Sequence, residues 1–185
     1  MKTLILTIFS VFIAALSIGQ TVEKGMVHLN AGIGMPNNLR KLMKTIAAID
    51  GNMKVKSSPV YQFSLDAAVG DEVQIGLLGG TTTVYLSERH ESGYVSEQKT
   101  TSTIVGLKLE YITELGKKSM IYGGPTLIYS IINFKETLGY IDKIEGFGIY
   151  PHIGVTHMLS KNTSGYFELG YGMSLINAGL KVRLK

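Results

Sequence analysis

Two histidines, His28 and His152, are the first residues of this chain whose type and position could do chemistry. Each stands among the polar members of a stretch in which polar and apolar residues alternate, so both point to the polar side of a predicted sheet. A histidine pair can bind a metal ion or act as acid and base. Because no third ligand or carboxylate stands at a diagnostic spacing, we interpret both as hydrogen-bonding interior residues and expect no metal and no cofactor.

Charged residues of both signs occupy the same polar sets. If the strands enclose them, opposite charges must pair, because an unpaired buried charge is strongly destabilising. We therefore expect Glu110 and Glu168 to pair with some of Lys108, Lys181 and Arg183. The predicted interior polar network comprises Asp66, Lys108, Glu110, Glu168, Lys181 and Arg183.

Strands with a period of two must position these side chains. The tail shows the pattern most clearly, since Ile176, Ala178, Leu180 and Val182 alternate with small or polar residues. In the stretch 119–131 both alternating sets are partly apolar, so its faces stay unassigned. The predicted strands are residues 26–34, 60–69, 73–85, 101–112, 119–131, 147–158, 165–172 and 176–184.

The connections between these strands alternate between long and short. Up-and-down membrane barrels show this asymmetry, with brief periplasmic turns and longer extracellular loops. The pattern predicts an all-β fold, an eight-stranded antiparallel up-and-down transmembrane β-barrel. The long connections are residues 35–59, 86–100 and 133–146, and the short ones are 70–72, 113–118 and 160–163.

The alternation alone does not say whether the apolar face meets lipid or a soluble core, as in a lipocalin. The polar set is rich in glycine and in paired charges, which suits the narrow interior of an eight-stranded barrel. We therefore expect the apolar set to face lipid. Aromatic belts are then expected at both interfaces, with Tyr61 and Tyr171 on the outer side and Tyr111 and Tyr122 on the periplasmic side.

The first nineteen residues have the layout of a secretory signal. Lys2 precedes an apolar run that ends in small residues at Ser17 and Gly19, and this run falls short of a membrane-spanning helix. We expect a signal peptide at 1–19 and a barrel domain at 20–185. The net charge of +4 is modest and scattered, and the chain has no cysteine, which argues against a nucleic-acid partner and a disulfide framework.

The first long loop contains an amphipathic stretch from residue 39 to residue 49. Its apolar residues fall on one helical face and its basic residues largely elsewhere. One interpretation is a helix that covers the barrel mouth and touches lipopolysaccharide phosphates; the other is a mobile basic loop. The residues of this possible surface helix are Leu39, Arg40, Lys41, Leu42, Met43, Lys44 and Ile46.

The C-terminal part resembles the small outer-membrane β-barrel proteins of Gram-negative bacteria, especially the type common in Bacteroidota. The resemblance is carried by an inward-facing Gly154, the turn at 160–163, the glycine-rich segment 165–172 and the final strand at 178–184. It implies an outer-membrane address and biogenesis through the barrel-insertion machinery. In that family the last strand typically ends on an aromatic residue, whereas this chain ends on Leu184 and Lys185.

Some outer-membrane barrels are lipid-modifying enzymes that place a histidine and a serine on the outer wall. His157 and Ser160 would imitate this pair, but they adjoin a predicted periplasmic turn. We therefore expect no enzyme.

The sequence predicts a non-enzymatic barrel with a structural or surface-interaction role through its extracellular loops. Its expected partners are outer-membrane lipid and lipopolysaccharide. Two alternatives stay open: a narrow pore for small solutes or ions, and an accessory subunit of an envelope assembly. The pore is disfavoured because eight strands leave an interior filled by side chains.

Overall fold

The wall of the molecule is one antiparallel sheet that closes on itself. The computed structural model describes residues 23–50, 53–89, 94–116, 118–136, 141–170 and 172–184, so the predicted signal peptide lies outside the described residues. Among these residues no helix is long and apolar enough to span a membrane. The elements are β1 (Val27–Asn37), α1 (Asn38–Asp50), β2 (Met53–Ser57), β3 (Val60–Ala68), β4 (Val73–Arg89), β5 (Val95–Glu114), β6 (Ser119–Glu136), β7 (Ile141–Met158), β8 (Thr163–Gly170) and β9 (Ser174–Arg183).

The strand β1 pairs with β3, and from β3 onward each strand of the wall pairs with the next one along the chain. Pairing between β1 and β9 closes the ring. The segments β2 and β3 both pair with β4, at different heights. Pro59 separates them because proline cannot donate a ladder hydrogen bond, while the Ser58 amide still donates to Thr83 O at 2.9 Å. The two segments therefore act as one wall strand, and the predicted eight-stranded antiparallel barrel is confirmed.

Four strands extend well beyond their predicted ends. Pairing between β4 and β5 continues to Arg89 and Val95, and pairing between β6 and β7 continues to Lys135 and Ile141. Much of the predicted loops 86–100 and 133–146 is therefore strand, and β2 is a further strand inside the predicted loop 35–59. A strand shows alternating apolar and polar residues when one of its faces lies in an apolar environment. The upper parts of these strands lie outside the lipid, so their sequences do not show the alternation.

The polarity of the wall is the reverse of that in a soluble barrel. Leu77 and Leu107 lie opposite each other on the outer surface and are 61% and 57% exposed, whereas Asp66 and Glu110 on the inner surface are each 1% exposed. A closed sheet satisfies all its backbone hydrogen bonds internally, and an apolar exterior places hydrocarbon side chains against lipid tails. This is the surface of a barrel that spans an outer membrane.

The aromatic belts agree with the sequence prediction only in part. Tyr61 and Tyr111 are exposed on the outer wall, as expected, but Tyr122 is buried inside the barrel and donates a hydrogen bond to Glu168. The assignment of Tyr122 to the lipid face was wrong because both alternating sets of β6 contain apolar residues. Tyr171 lies outside the described residues.

Glycines make room for the aromatic rings inside the barrel. A Cβ atom at Gly154 would lie 2.4 Å from Cζ of Tyr122, and one at Gly32 would lie 2.0 Å from the hydroxyl oxygen of Tyr166. Any larger side chain would therefore displace a ring that has few other places to go in this narrow interior.

We predict that Gly154→Ala lowers the stability of the folded barrel by about 1–3 kcal/mol, because the added methyl group must push Tyr122 out of its position. The matched control is Gly165→Ala on the adjacent strand, whose new Cβ would meet only Leu159 Cδ1 at 3.8 Å. The measurement is the temperature at which the compact form is lost on unboiled gels. Equal temperatures for the two variants would contradict this packing argument.

Candidate functional site

A buried lysine bridges two carboxylates at the centre of the barrel. Lys108 Nζ lies 3.1 Å from Asp66 Oδ2 and 2.8 Å from Glu110 Oε1. Asp66 is carried by β3 and the other two residues by β5, and the period of two turns all three inward. All three side chains are buried. The bridge satisfies the charges of groups that would otherwise be strongly destabilising in this interior.

Glu110 is the hub from which the network spreads to other strands. It accepts a hydrogen bond from Gln74 Nε2 at 3.0 Å, and its Oε1 lies 3.0 Å from His152 Nε2. Lys181 Nζ in turn donates to Gln74 Oε1 at 3.4 Å. The predicted network residue Lys181 therefore reaches Glu110 through a neutral glutamine, which sequence reasoning did not identify.

Glu168 is held by neutral donors instead of the expected cation. Its carboxylate accepts hydrogen bonds from Tyr122 Oη at 3.2 Å and from Asn177 Nδ2 at 3.3 Å. No ion pair of Glu168 occurs among the residues that the structure describes. Arg183 is half-buried near the periplasmic rim, where β9 pairs it with His28.

The interior contains a cavity of about 60 Å³, lined by Lys108, Glu110, Tyr122, Glu168 and Lys181 together with several apolar side chains. A cavity of this size has room for about four water molecules. It is small compared with the roughly 300–1,000 Å³ of a typical small-molecule site.

Three side chains of the network are close enough together to hold a metal ion. One ligand atom each from Glu110, His152 and Glu168 lies within 4.8 Å of the others. However, Lys108 already places an ammonium group against Glu110, and His152 Nδ1 lies 3.1 Å from Thr126 Oγ1. The arrangement therefore favours a structural network in which lysine supplies the positive charge.

Two other histidines that the structure describes, His28 and His157, lie apart from this cluster. His28 is buried, but it does not join the three potential ligands. His157 stands on the outer wall, where its Nδ1 lies 2.8 Å from Ser119 Oγ, while Ser160 is exposed in the turn. The pairing of His157 with Ser119 follows from the register of β6 and β7. Ser119 is almost fully buried, so its hydroxyl group is not accessible to a lipid ester.

The helix α1 covers part of the barrel mouth. Asn37 caps its start, since Asn37 Oδ1 accepts a hydrogen bond from the Arg40 amide at 3.1 Å. The helix is tethered to the β8–β9 connection, because Asn38 Nδ2 donates to Gly172 O at 2.6 Å. Its apolar side forms a cluster with the inner face of the extended strands. The members of this cluster are Leu39, Met43, Met53, Val55, Val84, Leu86 and Phe134.

The opposite side of α1 faces away from the barrel. Arg40, Lys41 and Lys44 are exposed, and so is Leu42 at 57%, whereas Met43 is 6% exposed. The apolar stripe is therefore narrower than the sequence suggested, because Leu42 lies outside it. The side chain of Ile46 lies outside the described residues.

No protein-family model and no curated protein matches this sequence. The structure is similar to two solved outer-membrane proteins. One is Ail, the attachment invasion locus protein of Yersinia pestis, in complex with the heparin analogue sucrose octasulfate, with 9% identity, a TM-score of 0.46, and coverage of 86% of this chain and 96% of that chain. The other is the N-terminal β-barrel domain of Pseudomonas aeruginosa OprF, with 11% identity, a TM-score of 0.47, and coverage of 89% and 100%.

We predict that Lys108→Met lowers the free energy of unfolding by about 3–5 kcal/mol, because it leaves Asp66 and Glu110 buried without their cation. The measurement is urea-induced unfolding in detergent micelles, followed by circular dichroism. The control is Lys161→Met, which removes an exposed lysine from a turn. A second variant, Lys108→Met combined with Glu110→Gln, should recover part of the loss. Equal stability of Lys108→Met and Lys161→Met would show that the bridge contributes nothing.

Proposed function

We propose that this protein is a non-enzymatic outer-membrane barrel that acts at the cell surface, through the side of the molecule that carries α1. The observation that supports this most strongly is the closed interior. A charge network crosses the middle of the barrel, and the cavity beside it, of about 60 Å³, is the size of a few water molecules. Such a barrel serves as a membrane-anchored scaffold for what it presents outside.

The presented surface has a definite shape. The strands β4, β5, β6 and β7 are each 17 to 20 residues long, whereas a bilayer needs about 9–11 residues of a tilted strand. The excess forms a wall above the membrane, and α1 packs against its inner face. The outer side of α1 offers three basic residues, Arg40, Lys41 and Lys44, to partners at the cell surface.

The partners proposed here are outer-membrane lipid and lipopolysaccharide, with the barrel-insertion machinery acting during biogenesis. The resemblance of the C-terminal hairpin to barrels of Bacteroidota supports a bacterium of that group as the source. An accessory role in an envelope assembly is compatible with the same surface.

A narrow pore is the second candidate, and the charged side chains that line the central cavity favour it. In such a pore, α1 would close the mouth of the barrel, and the interior below it would conduct once α1 is released. The two functions therefore differ in what happens when α1 is released from the wall.

We predict that the purified protein in planar bilayers carries no single-channel current, and that Met43→Glu carries none either. The substitution places a charge in the apolar cluster and should detach α1, but the network of Lys108 and Glu110 below it stays closed. The control is Leu42→Glu, at the exposed neighbouring position. Currents in the wild-type protein, or currents that appear only in Met43→Glu, would replace the proposed function with an open or a gated pore.

A further inference from the structure

A row of lysines crosses the outer face of the extended wall. Strand pairing sets Lys56 opposite Tyr85, Tyr85 opposite Lys99, and Lys99 opposite Lys135. All four side chains are exposed. Directly opposed side chains on one face of an antiparallel sheet have Cβ atoms about 5 Å apart. We call Lys56, Lys99 and Lys135 the lysine row. They form a basic strip across the sheet in which one tyrosine, Tyr85, lies between the first lysine and the other two.

The inner face of the wall that carries this row packs against an apolar cluster. Tyr85 lies between Val84 and Leu86, which point to the other face and pack in the cluster with α1. The next lysine row member, Lys135, similarly follows Phe134 of the same cluster. The backbone that carries the lysines therefore belongs to a packed sheet, which sets the spacing of the lysines along the row.

The row stands just above the lipid-facing band. On β5 an unbroken series of exposed apolar residues at alternate positions runs from Tyr111 to Val105, with Leu107 near its middle. Lys99 lies on the same face, eight residues before Leu107 in the sequence. This separation is about 20 Å along the barrel axis for a strand tilted by about 40°. The apolar band of such a barrel reaches about 12 Å from its middle. Because lysine side chains are long and flexible, their ammonium groups can reach the headgroup layer.

The lysines of the row repel one another. Like charges directly opposed across two strands are destabilising, and Lys99 faces Lys135 in this way. Glu97 lies two positions from Lys99 on the same face, so one negative charge stands beside the three positive charges of the row. Lys54 adds a fourth exposed cation two residues from Lys56. This strip is complementary to a multiply charged anion.

We propose that the lysine row binds the phosphate groups of an outer-leaflet lipid headgroup, the chemistry that lipopolysaccharide presents. The lipid is the occupant because the row continues the lipid-facing wall upward, and the aromatic ring of Tyr85 suits the interface between apolar and polar layers. The inference rests on the outer-membrane orientation in the proposed function. It names a site on the outer wall, distinct from the basic face of α1.

The test compares lipopolysaccharide binding by the folded protein in detergent. The triple variant Lys56→Gln, Lys99→Gln, Lys135→Gln should bind lipopolysaccharide about tenfold more weakly or worse than the wild-type protein, because each lysine contributes to the attraction of an anionic lipid surface. The matched control changes the same amount of charge at the periplasmic end, in Lys24→Gln, Lys118→Gln, Lys161→Gln, and should bind like the wild type. Binding should also weaken as salt is raised.

Further arms identify the ligand. Enzymatically dephosphorylated lipopolysaccharide should bind the wild type about as weakly as intact lipopolysaccharide binds the triple variant, and inorganic phosphate at millimolar concentration should not displace the lipid. Equal binding of intact lipopolysaccharide by the triple variant and the wild type would overturn the site, and displacement by inorganic phosphate would overturn the lipid as its ligand.

Folding is checked separately with Lys99→Gln, Lys135→Gln, which removes only the opposed pair. This double variant should be at least as stable as the wild type in lipid-free detergent, because it relieves a repulsion. A loss of stability would mean that the lysines are paired within the protein, and would overturn the inference. A channel current in the experiment on Met43→Glu would contradict the pore-free function while leaving the outcome at the lysine row unaffected.

Discussion

The closed ring of backbone hydrogen bonds is the constraint on which the rest of this structure depends. Hydrocarbon offers no partner to an amide or carbonyl group, so a sheet in a membrane must have no free edge. Here the ring is completed where β1 pairs with β9 and β4 pairs with β5. Eight strands can close only around a narrow space. The width of that space determines which side chains fit inside the barrel.

The interior is narrow and contains both charged side chains and aromatic rings, and this explains which residues line it. Lys108 neutralises two carboxylates at once, and Glu110 is bound by residues of three strands, Gln74 of β4, Lys108 of β5 and His152 of β7. Glycines such as Gly154 stand where an aromatic ring crosses the axis. The network is thus a consequence of sealing the barrel, and it leaves the chemistry of the protein to surfaces outside the membrane.

The membrane-spanning part of the fold could be predicted from the sequence, because lipid on one side and a polar interior on the other impose an alternation that single residues reveal. The upper parts of β4 to β7 and the short β2 could not, since above the membrane neither face is held to hydrocarbon. The helix was one of two interpretations of the first long loop, and the structure favours it, with Leu39 and Met43 on one face. Tyr122 was misplaced where both sets of β6 are apolar.

Which residues of the network contact each other depends on the register of the strands, and this register could not be predicted from the sequence. Asp66 and Lys108 are 42 residues apart, and Ser119 and His157 are 38 apart, so only the pairing of the strands reveals that they meet. The contributions of Gln74 and Asn177 were missed for the same reason, since a neutral amide in a polar set carries no signal of its partner. The lysine row likewise appears only when three strand pairings are read together.

The most direct test is a spin-label scan of β5 in lipid bilayers from residue 105 to residue 112. The chain contains no cysteine, so each single cysteine substitution carries one nitroxide. We predict that oxygen, which concentrates in lipid, relaxes the labels at positions 105, 107, 109 and 111 more than those between them, while a water-soluble nickel reagent reaches neither set. Access of the nickel reagent to the odd-numbered positions, or equal oxygen access along the strand, would contradict a lipid-facing apolar wall around a sealed polar interior.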